Sequence, residues 1–301
     1  MSTANQNLSA RSYQPQFKEL LQAVFRTQAY FRDFFGGNIE ALDGVQHNET
    51  AFHVKTSDIP VVVGTEYNKD ANTAFGTGTG NSTRFGPRTE IIYTDTPVPY
   101  TWEWVYHEGI DKHTVNNAMD TAVADRLDLQ AQAKIKEFNK HHSAFISGVA
   151  GHEETLGTMD DDGVLALFNK LSAYYTNIEA IGNKAAKVTP EMYNVIVDMP
   201  QTTIEKRSSA NIDENTIVKF KGFTIEELPE AQFQEGEVAY AYITGVGKAF
   251  TGINTARTIE SEDFDGVALQ GAGKAGEFIL DDNKAAVAKV TFSGSGGGVE
   301  G

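Results

Sequence analysis

Four stretches of this sequence hold residue types that can do chemistry at close spacing. Gly76-Thr77-Gly78-Thr79-Gly80-Asn81 has the glycine density of a phosphate-cradling loop. It lacks the Lys-Ser/Thr pair that contacts phosphate and magnesium, and no helical pattern follows to aim a positive dipole end at an anion. His152-Glu153-Glu154 begins as a zinc-protease motif does, but Leu156 stands where the second histidine is required. His141 and His142 are adjacent in a helical pattern, so they project about 100° apart, a poor chelating geometry. Asp160-Asp161-Asp162-Gly163 lacks the alternating ligands and closing Glu of a calcium loop. Placed directly before a helical pattern, it reads as a cap at the positive end of the macrodipole. There is no Gly-x-Ser-x-Gly elbow, and with no cysteine there is neither a thiol nucleophile nor a disulfide. Any two of the 41 acids can meet in a fold, and nothing singles out a pair. These residues assign no catalytic set, no cofactor and no metal, and the chain is not expected to be an enzyme.

The element that dominates the pattern runs from His113 to Ser147, without Gly or Pro until Gly148. Val115, Met119, Val123, Leu127, Ala131, Ile135, Phe138, His142 and Phe145 recur every three or four positions, while Asp120, Asp128, Gln132, Lys136 and Lys140 fall mostly on the other side. That is the period of an amphipathic helix, with Thr114 as N-cap and Gly148 and Gly151 as stops. At 1.5 Å per residue it is roughly 50 Å long, the length of a spine. Its apolar positions, Leu127 and Ile135 included, are expected to be buried.

Two segments precede it. Residues 1–13 read as a polar arm, followed by a second helix from Gln14 to Phe35 with Phe17, Leu20, Leu21, Val24, Phe25, Phe31, Phe34 and Phe35 as its apolar set, ended by Gly36-Gly37. So many phenylalanines suit either a helix packed on its own core or an arm packed on a neighbouring subunit. Strand patterns follow at Thr50–Val54 and Ile59–Val63 and resume at Thr89–Tyr93 and Pro99–Tyr106. Between them, Glu66 to Arg88 is rich in Gly, Thr and Asn. A polar loop of about 20 residues is unusual inside a compact fold, so this reads as a long two-stranded excursion that orders against something else. Trp102 and Trp104 mark where it rejoins the body.

After the spine, Asp162–Ile181 is a helix with Val164, Leu167, Phe168, Leu171, Tyr175 and Ile178 on one face. Thr189–Val197 and Ile217–Leu228 read as a helix start followed by strands. Val238–Ile243 (VAYAYI) is a central strand, and Lys248–Phe292 is strand-like and interrupted by Gly, ending in Ala286–Phe292. Ser293–Gly301 is a Gly/Ser tail.

The totals bound the class. With 301 residues, 40% of them hydrophobic, the chain can bury a sizeable core. No run approaches 18 apolar residues and Met1–Arg11 lacks a signal-peptide core, so neither a membrane span nor export is expected. The net charge of −16 is uneven, about −4 over residues 1–152 and −12 over 153–301. An acidic chain gains no counterion-release affinity, which argues against direct nucleic-acid reading.

The runs IPVVVGTEYNKDANTAFGTGTGNSTRFGPRTEIIYTDTPVPYTWEWVYHEGIDKHTVN, ADRLDLQAQAKIKEFN and EGEVAYAYITGVGKAFTGINTARTIESEDFDGVALQGAGKAGEFILDD resemble head proteins of siphophages infecting lactococci and streptococci. The order of parts resembles the major capsid protein of tailed bacteriophages with the Hong Kong 97 type fold, over roughly residues 14–292. That resemblance implies an α+β fold with an N-terminal arm (1–47), an extended β-hairpin E-loop (48–100), a peripheral-domain strand and spine helix (101–158), a mainly axial, mixed α/β domain (159–270), return strands to the peripheral domain (271–292) and a flexible tail (293–301).

It implies a subunit that self-assembles through hexamers and pentamers into an icosahedral shell around double-stranded DNA, in the virion after assembly in the host cytoplasm. A separate scaffolding protein and a portal are the implied partners, with no membrane. Phe17, Phe25, Phe31 and Phe34 on the arm and Tyr67, Lys69, Phe75, Arg84 and Arg88 on the E-loop are the expected assembly contacts. Some relatives join an E-loop Lys to a neighbour's Asn; no Asn and Glu partners are identifiable for Lys69, so such a cross-link is not expected. The other readings are a tail-tube or other ring-forming virion protein, which would not need the long helix, and an enzyme without a recognisable motif.

Overall fold

A computed structural model of the chain describes residues 28–37, 39–41, 50–57, 59–61, 63–65, 67–70, 84–85, 89–115, 119–199, 210–211, 216–217 and 219–294. The first half contains β1 (Glu40–Ala41), β2 (Thr50–Thr56), β3 (Thr94–Pro99), β4 (Trp102–Asp111), the short α1 (Lys112–Val115) and the long α2 (Met119–Val149). Next come β5 (His152–Leu156), α3 (Asp161–Asn177), β6 (Lys184–Val188) and α4 (Pro190–Asp198). The last part adds β7 (Ala210–Asn211), β8 (Thr216–Ile217), β9 (Lys219–Phe220), β10 (Phe223–Glu227), β11 (Glu237–Ile243), β12 (Gly247–Glu260), β13 (Gly266–Ile279) and β14 (Val287–Phe292). The fold is mixed α/β.

A six-stranded sheet of order β5-β14-β11-β6-β10-β9 organises the second half. VAYAYI lies in its middle, as its apolar run requires of a strand covered on both faces. Because side chains alternate along a strand, Ala239, Ala241 and Ile243 enter one core with Leu167, Phe168 and Leu171 of α3 and Met192 and Ile196 of α4. Tyr240 and Tyr242 enter a second core with Phe31, Phe34, Phe35 and Ile146. Burying a phenol requires a partner for its hydroxyl. Tyr240 donates to Glu237 at 2.6 Å, Tyr242 to Asp33 at 2.9 Å, and Tyr175 to the Ala241 carbonyl at 2.7 Å. The aspartate run does cap α3: Asp160 Oδ1 accepts from the Gly163 N–H at 2.8 Å.

A second sheet of order β1-β12-β13-β4 is built on the fourteen-residue hairpin strands β12 and β13. The excursion is rooted on it, with β2 and β3 pairing antiparallel from Thr50↔Pro99 to Thr56↔Thr94. Phe52 packs edge-on against Phe250 at 5.1 Å and Phe278 at 5.7 Å.

Several expectations are corrected. Residues 14–27 of the expected second helix lie outside the described residues, and 30–37 form turns instead of helix. The side chain of Asn139 takes the backbone groups a helix would use, accepting from the Tyr30 N–H at 3.1 Å and donating to the Gln28 carbonyl at 2.7 Å. The described residues of Ile59–Val63 and Thr89–Tyr93 form no strand, because β-branched residues make a strand only where a partner strand pairs with them. The run Pro99–Tyr106 is split: β3 ends at Pro99 and β4 begins at Trp102. Residues 190–198 are helical throughout, started by Pro190 at its first turn. Val287–Phe292 does not return to the sheet of β4. It lies between β5 and β11, in register Ala288↔His152 and Tyr240↔Lys289.

The long helix expected from His113 to Ser147 appears as α1 and α2, with 116–118 outside the described residues, and α2 is not buried along its length. Its buried residues are Phe138, Asn139, His142, Ser143 and Ile146, all in the C-terminal half, and Leu127 is 41% exposed. The buried residues are those with a neighbour over them: Trp102 lies against Phe138, Gln28 and Tyr30 bond to Asn139, Phe35 lies against His142, and Tyr240 lies at Ser143.

Candidate assembly surface

The sequence offered no catalytic set, and the geometry directs attention to surfaces. The first is the excursion. Its root is buried through Ala51 and Val98. Beyond Thr56 and Thr94 most of the described apolar side chains have no cover: Val61 and Phe85 are 87% and 86% exposed, and Val63, Ile91, Ile92 and Tyr93 are exposed as well, while Ile59 is half-buried. The two limbs nevertheless hold each other. Asn68 N–H donates to the Arg84 carbonyl at 3.0 Å, and Arg84 Nη1 donates back to the Asn68 carbonyl at 3.0 Å. Tyr67 and Phe85 pack edge to face at 5.2 Å. The result is a limb that is internally fixed yet presents apolar side chains to solvent, the signature of a surface awaiting a partner.

The second surface is the N-terminal half of α2 with the sheet beneath it. Along β4 the even positions face the helix and the odd ones face away, in the burial alternation of a half-covered strand. Four of the even residues meet α2. Trp102 stacks on His141 at 4.1 Å, Trp104 lies under the Lys134 ammonium at 4.0 Å, Tyr106 donates to the Gln130 carbonyl at 3.3 Å, and Glu108 accepts from Arg126 Nε at 2.7 Å. The Arg126 hydrogen bonds hold the Glu108 carboxyl below its usual range. This face is polar and aromatic. The apolar positions Leu127 and Ala131 lie beside it and are exposed.

Where the helix meets the second core, the two histidines diverge. His141 lies on Trp102, whereas the His142 ring is 4.4 Å from Phe35, so the pair does not converge on a common ligand position. Burial depresses His142 to about 3, with the neighbouring His141 adding to the effect. Its Nε2 is 3.6 Å from Glu277 Oε1. Burial in turn raises the Glu277 carboxyl, although Trp102 Nε1 and Thr101 Oγ1 both donate to it at 3.1 Å. His152 stacks on Tyr174 at 3.7 Å and lies on a strand, not on a metal-binding helix. Among the described residues no group of three His, Cys, Asp or Glu is placed to hold a metal ion. Among the same residues no helix is long and apolar enough to cross a membrane.

Of the residues expected to make assembly contacts, Phe17, Phe25, Phe75 and Arg88 lie outside the described residues. Tyr67 and Lys69 are exposed on the excursion, and Arg84 is half-buried beside them. Phe31 and Phe34 are corrected: both are fully buried in the chain's own core, where they present nothing to a neighbour. Val61, Phe85, Ile91 and Ile92 were not singled out from sequence. Their signal was available, since apolar runs flanking a polar Gly-rich stretch have no obvious strand to pair with.

The sequence matches no protein-family profile and no curated protein. The fold is similar to that of solved structures. One is the capsid of the cyanophage P-SCSP1u, at 9% identity over 98% of this chain and 93% of that one, with a TM-score of 0.68. Another is the mature capsid of bacteriophage PhiM1, at 8% identity over 89% and 88%, with a TM-score of 0.64. A third is a virus-like particle from Pyrococcus furiosus, at 13% identity over 93% and 99%, with a TM-score of 0.52. At such identities the likeness is one of fold.

Proposed function

We propose that this chain is the major capsid protein of a tailed bacteriophage, of the Hong Kong 97 type and of the kind found in siphophages of lactococci and streptococci. In this reading it self-assembles into the icosahedral head shell that encloses a double-stranded DNA genome. The observation that carries the reading is the match in fold with a cyanophage capsid structure over 98% of this chain and 93% of that one.

The surfaces described above support it. A closed shell is made from one contact set repeated many times, which favours long arms over a single pocket. Residues 48–100 would be the E-loop, and its exposed Tyr67, Lys69 and Phe85, with Phe75, Arg84 and Arg88, would meet a neighbouring subunit. Residues 101–158 would form the peripheral strand and spine, and 159–270 mainly the axial domain. Hexamers and pentamers of the chain, a separate scaffolding protein and a portal would be its partners, assembling in the host cytoplasm. The −12 charge of residues 153–301 suits a wall beside packed DNA that must not grip it.

Electron microscopy of the expressed chain tests the proposal. Shells or capsomer-sized rings are expected. Tubes would favour a tail protein, and monomers that never associate would overturn the assembly reading altogether. Tight binding of isolated subunits to duplex DNA at physiological salt would count against the acidic-wall role.

A further inference from the structure

Two unpaired features of this chain fit each other. The first is a sheet edge. β4 ends the sheet of order β1-β12-β13-β4, and among the described residues no strand lies on its other side. Its register with β13 runs without a shift from Trp102↔Ala275 to Asp111↔Gly266, and just beyond it the Lys112 N–H donates to the Asp265 carbonyl at 2.8 Å. In an antiparallel pair, alternate residues spend their backbone groups on the partner strand. The even residues of β4 therefore bond to β13, while Glu103, Val105, His107 and Gly109 direct their N–H and C=O groups away from the sheet. A regular ten-residue edge with neither proline nor bulge is an open template for a further strand. Val105, in its middle, is 71% exposed.

The second is a run with the pattern of a strand and no strand to pair with. Thr89–Tyr93 is β-branched and aromatic, yet it forms no strand in this chain, and Ile91, Ile92 and Tyr93 are each more than half exposed. Set antiparallel with Ile92 opposite Val105, the two rows are complementary. Glu90 falls opposite His107, whose ring N–H can donate to a carboxylate, while Ile91 meets Tyr106 and Tyr93 meets Trp104 on the α2 side. A shift of two residues sets Ile92 against Glu103 or His107 instead. In cis this register would turn Thr94–Glu103 into a loop and dissolve β3, which pairs with β2 from Thr94 to Pro99. The occupant is therefore a second copy. We propose that Thr89–Tyr93 of one subunit adds as a fifth strand to the β4 edge of the next, opposite Trp104–Glu108. The inference rests on the assembly reading above and names the surface that receives the excursion. Because the giving and receiving surfaces differ, the contact is heterologous and generates rings where the rotation closes.

Introduced cysteines test it, since the chain has none of its own. In assembled Ile92→Cys/Val105→Cys, mild oxidation should link neighbouring subunits into a ladder on a non-reducing gel, because directly opposite strand positions lie within disulfide reach. Neither single variant should give a ladder. The off-register pair Ile92→Cys/Glu103→Cys, set diagonally and beyond that reach, should link roughly tenfold less. Particles or rings that form without the ladder overturn this contact and leave the assembly reading standing. Equal linking by the off-register pair or by a single variant does the same. A chain that never associates overturns both. Should the substitutions themselves block assembly, hydrogen exchange of the unsubstituted chain decides. The amides of Val105 and His107 should then exchange roughly tenfold or more slowly in assembled particles than in dissociated subunits, and unchanged exchange overturns the proposal.

Discussion

The ammonium of Lys187 is 3.3 Å from the carboxylate of Asp33, although the Lys187 side chain is only 2% exposed. Lys187 is on β6 and Asp33 is in the N-terminal turn, so this contact fastens the beginning of the described chain to the central sheet. Glu226 of β10 also pairs with Lys187, and Tyr242 donates to the same Asp33 oxygen at 2.9 Å. A buried cation persists only where carboxylates surround it. Phe31, Phe34 and Phe35 supply the apolar part of the same attachment.

Removing one side of this pair should cost more than removing its centre. Asp33→Ala leaves Lys187 with Glu226 alone and should lower stability by about 2–3 kcal/mol. Lys187→Met keeps the volume and removes the charge that needs pairing, and should cost less than about 1 kcal/mol. Urea midpoints at unchanged m-value give both numbers. A larger loss for Lys187→Met would mean that the charge itself holds the turn.

His142 makes a pH prediction with a definite sign. Burial places its folded pKa at about 3, whereas an unfolded histidine titrates near 6.5. The unfolded chain therefore takes up a proton below about 6.5 that the folded chain refuses. This residue's contribution to stability is complete above pH 6.5 and is lost as pH falls towards 3, by roughly 1.4 kcal/mol per unit. Glu277, raised by burial, works in the opposite sense, because the folded state takes up its proton first on acidification. The drop in unfolding free energy from pH 7 to 5.5 should be smaller by about 1.4 kcal/mol in His142→Phe than in the parent chain. Equal drops would show that His142 is protonated in the fold.

Much of this fold is legible in the sequence, and what is not has identifiable causes. Period 3.6 located α2 and α3, and the unbroken apolar run located β11, because burial alone dictates those patterns. Lys184–Val188 went unread because two lysines obscure a strand, and the pairing of Lys187 with Asp33 and Glu226 lies beyond sequence spacing. The burial of Leu127 was misjudged because periodicity identifies a face without saying whether anything covers it. For Phe31 and Phe34 the pattern left the chain's own core and a neighbouring subunit both open, and only the resemblance placed them outward. The excursion was legible as a departure from compactness, but the exposure of Phe85 and Ile92 depends on the ladder ending at Thr56 and Thr94.

Phe34 and Phe85 should therefore respond differently to the same change. Phe34 is fully buried, packed edge-on against Tyr242 at 4.9 Å and against Gly247, where a Cβ would collide with its ring. Phe34→Ala should cost about 3–5 kcal/mol. Phe85 is 86% exposed, so Phe85→Ala should change subunit stability by less than about 0.5 kcal/mol. If the excursion is an assembly arm, Phe85→Ala should still reduce the yield of assembled particles in sedimentation. Normal assembly by that variant would remove Phe85 from the contact surface.

Deleting Asn68–Thr83 tests the arm as a whole. The deletion leaves the β2–β3 ladder, whose register is set by pairs from Thr50↔Pro99 to Thr56↔Thr94, and it leaves Phe52 on Phe250 and Phe278. Among the described residues the three buried clusters draw on Phe31 to Phe35, on β2, β3 and Tyr100, and on Phe138 onwards. The shortened chain should stay soluble, with the thermal midpoint of the parent to within a few degrees. The lost residues include the Asn68 end of the clasp with Arg84, so the two limbs would no longer hold one geometry. A contact repeated at every subunit of a shell multiplies such a defect, and particle formation should fail while folding does not. Particles of normal size and yield from the deletion would show that assembly uses other surfaces.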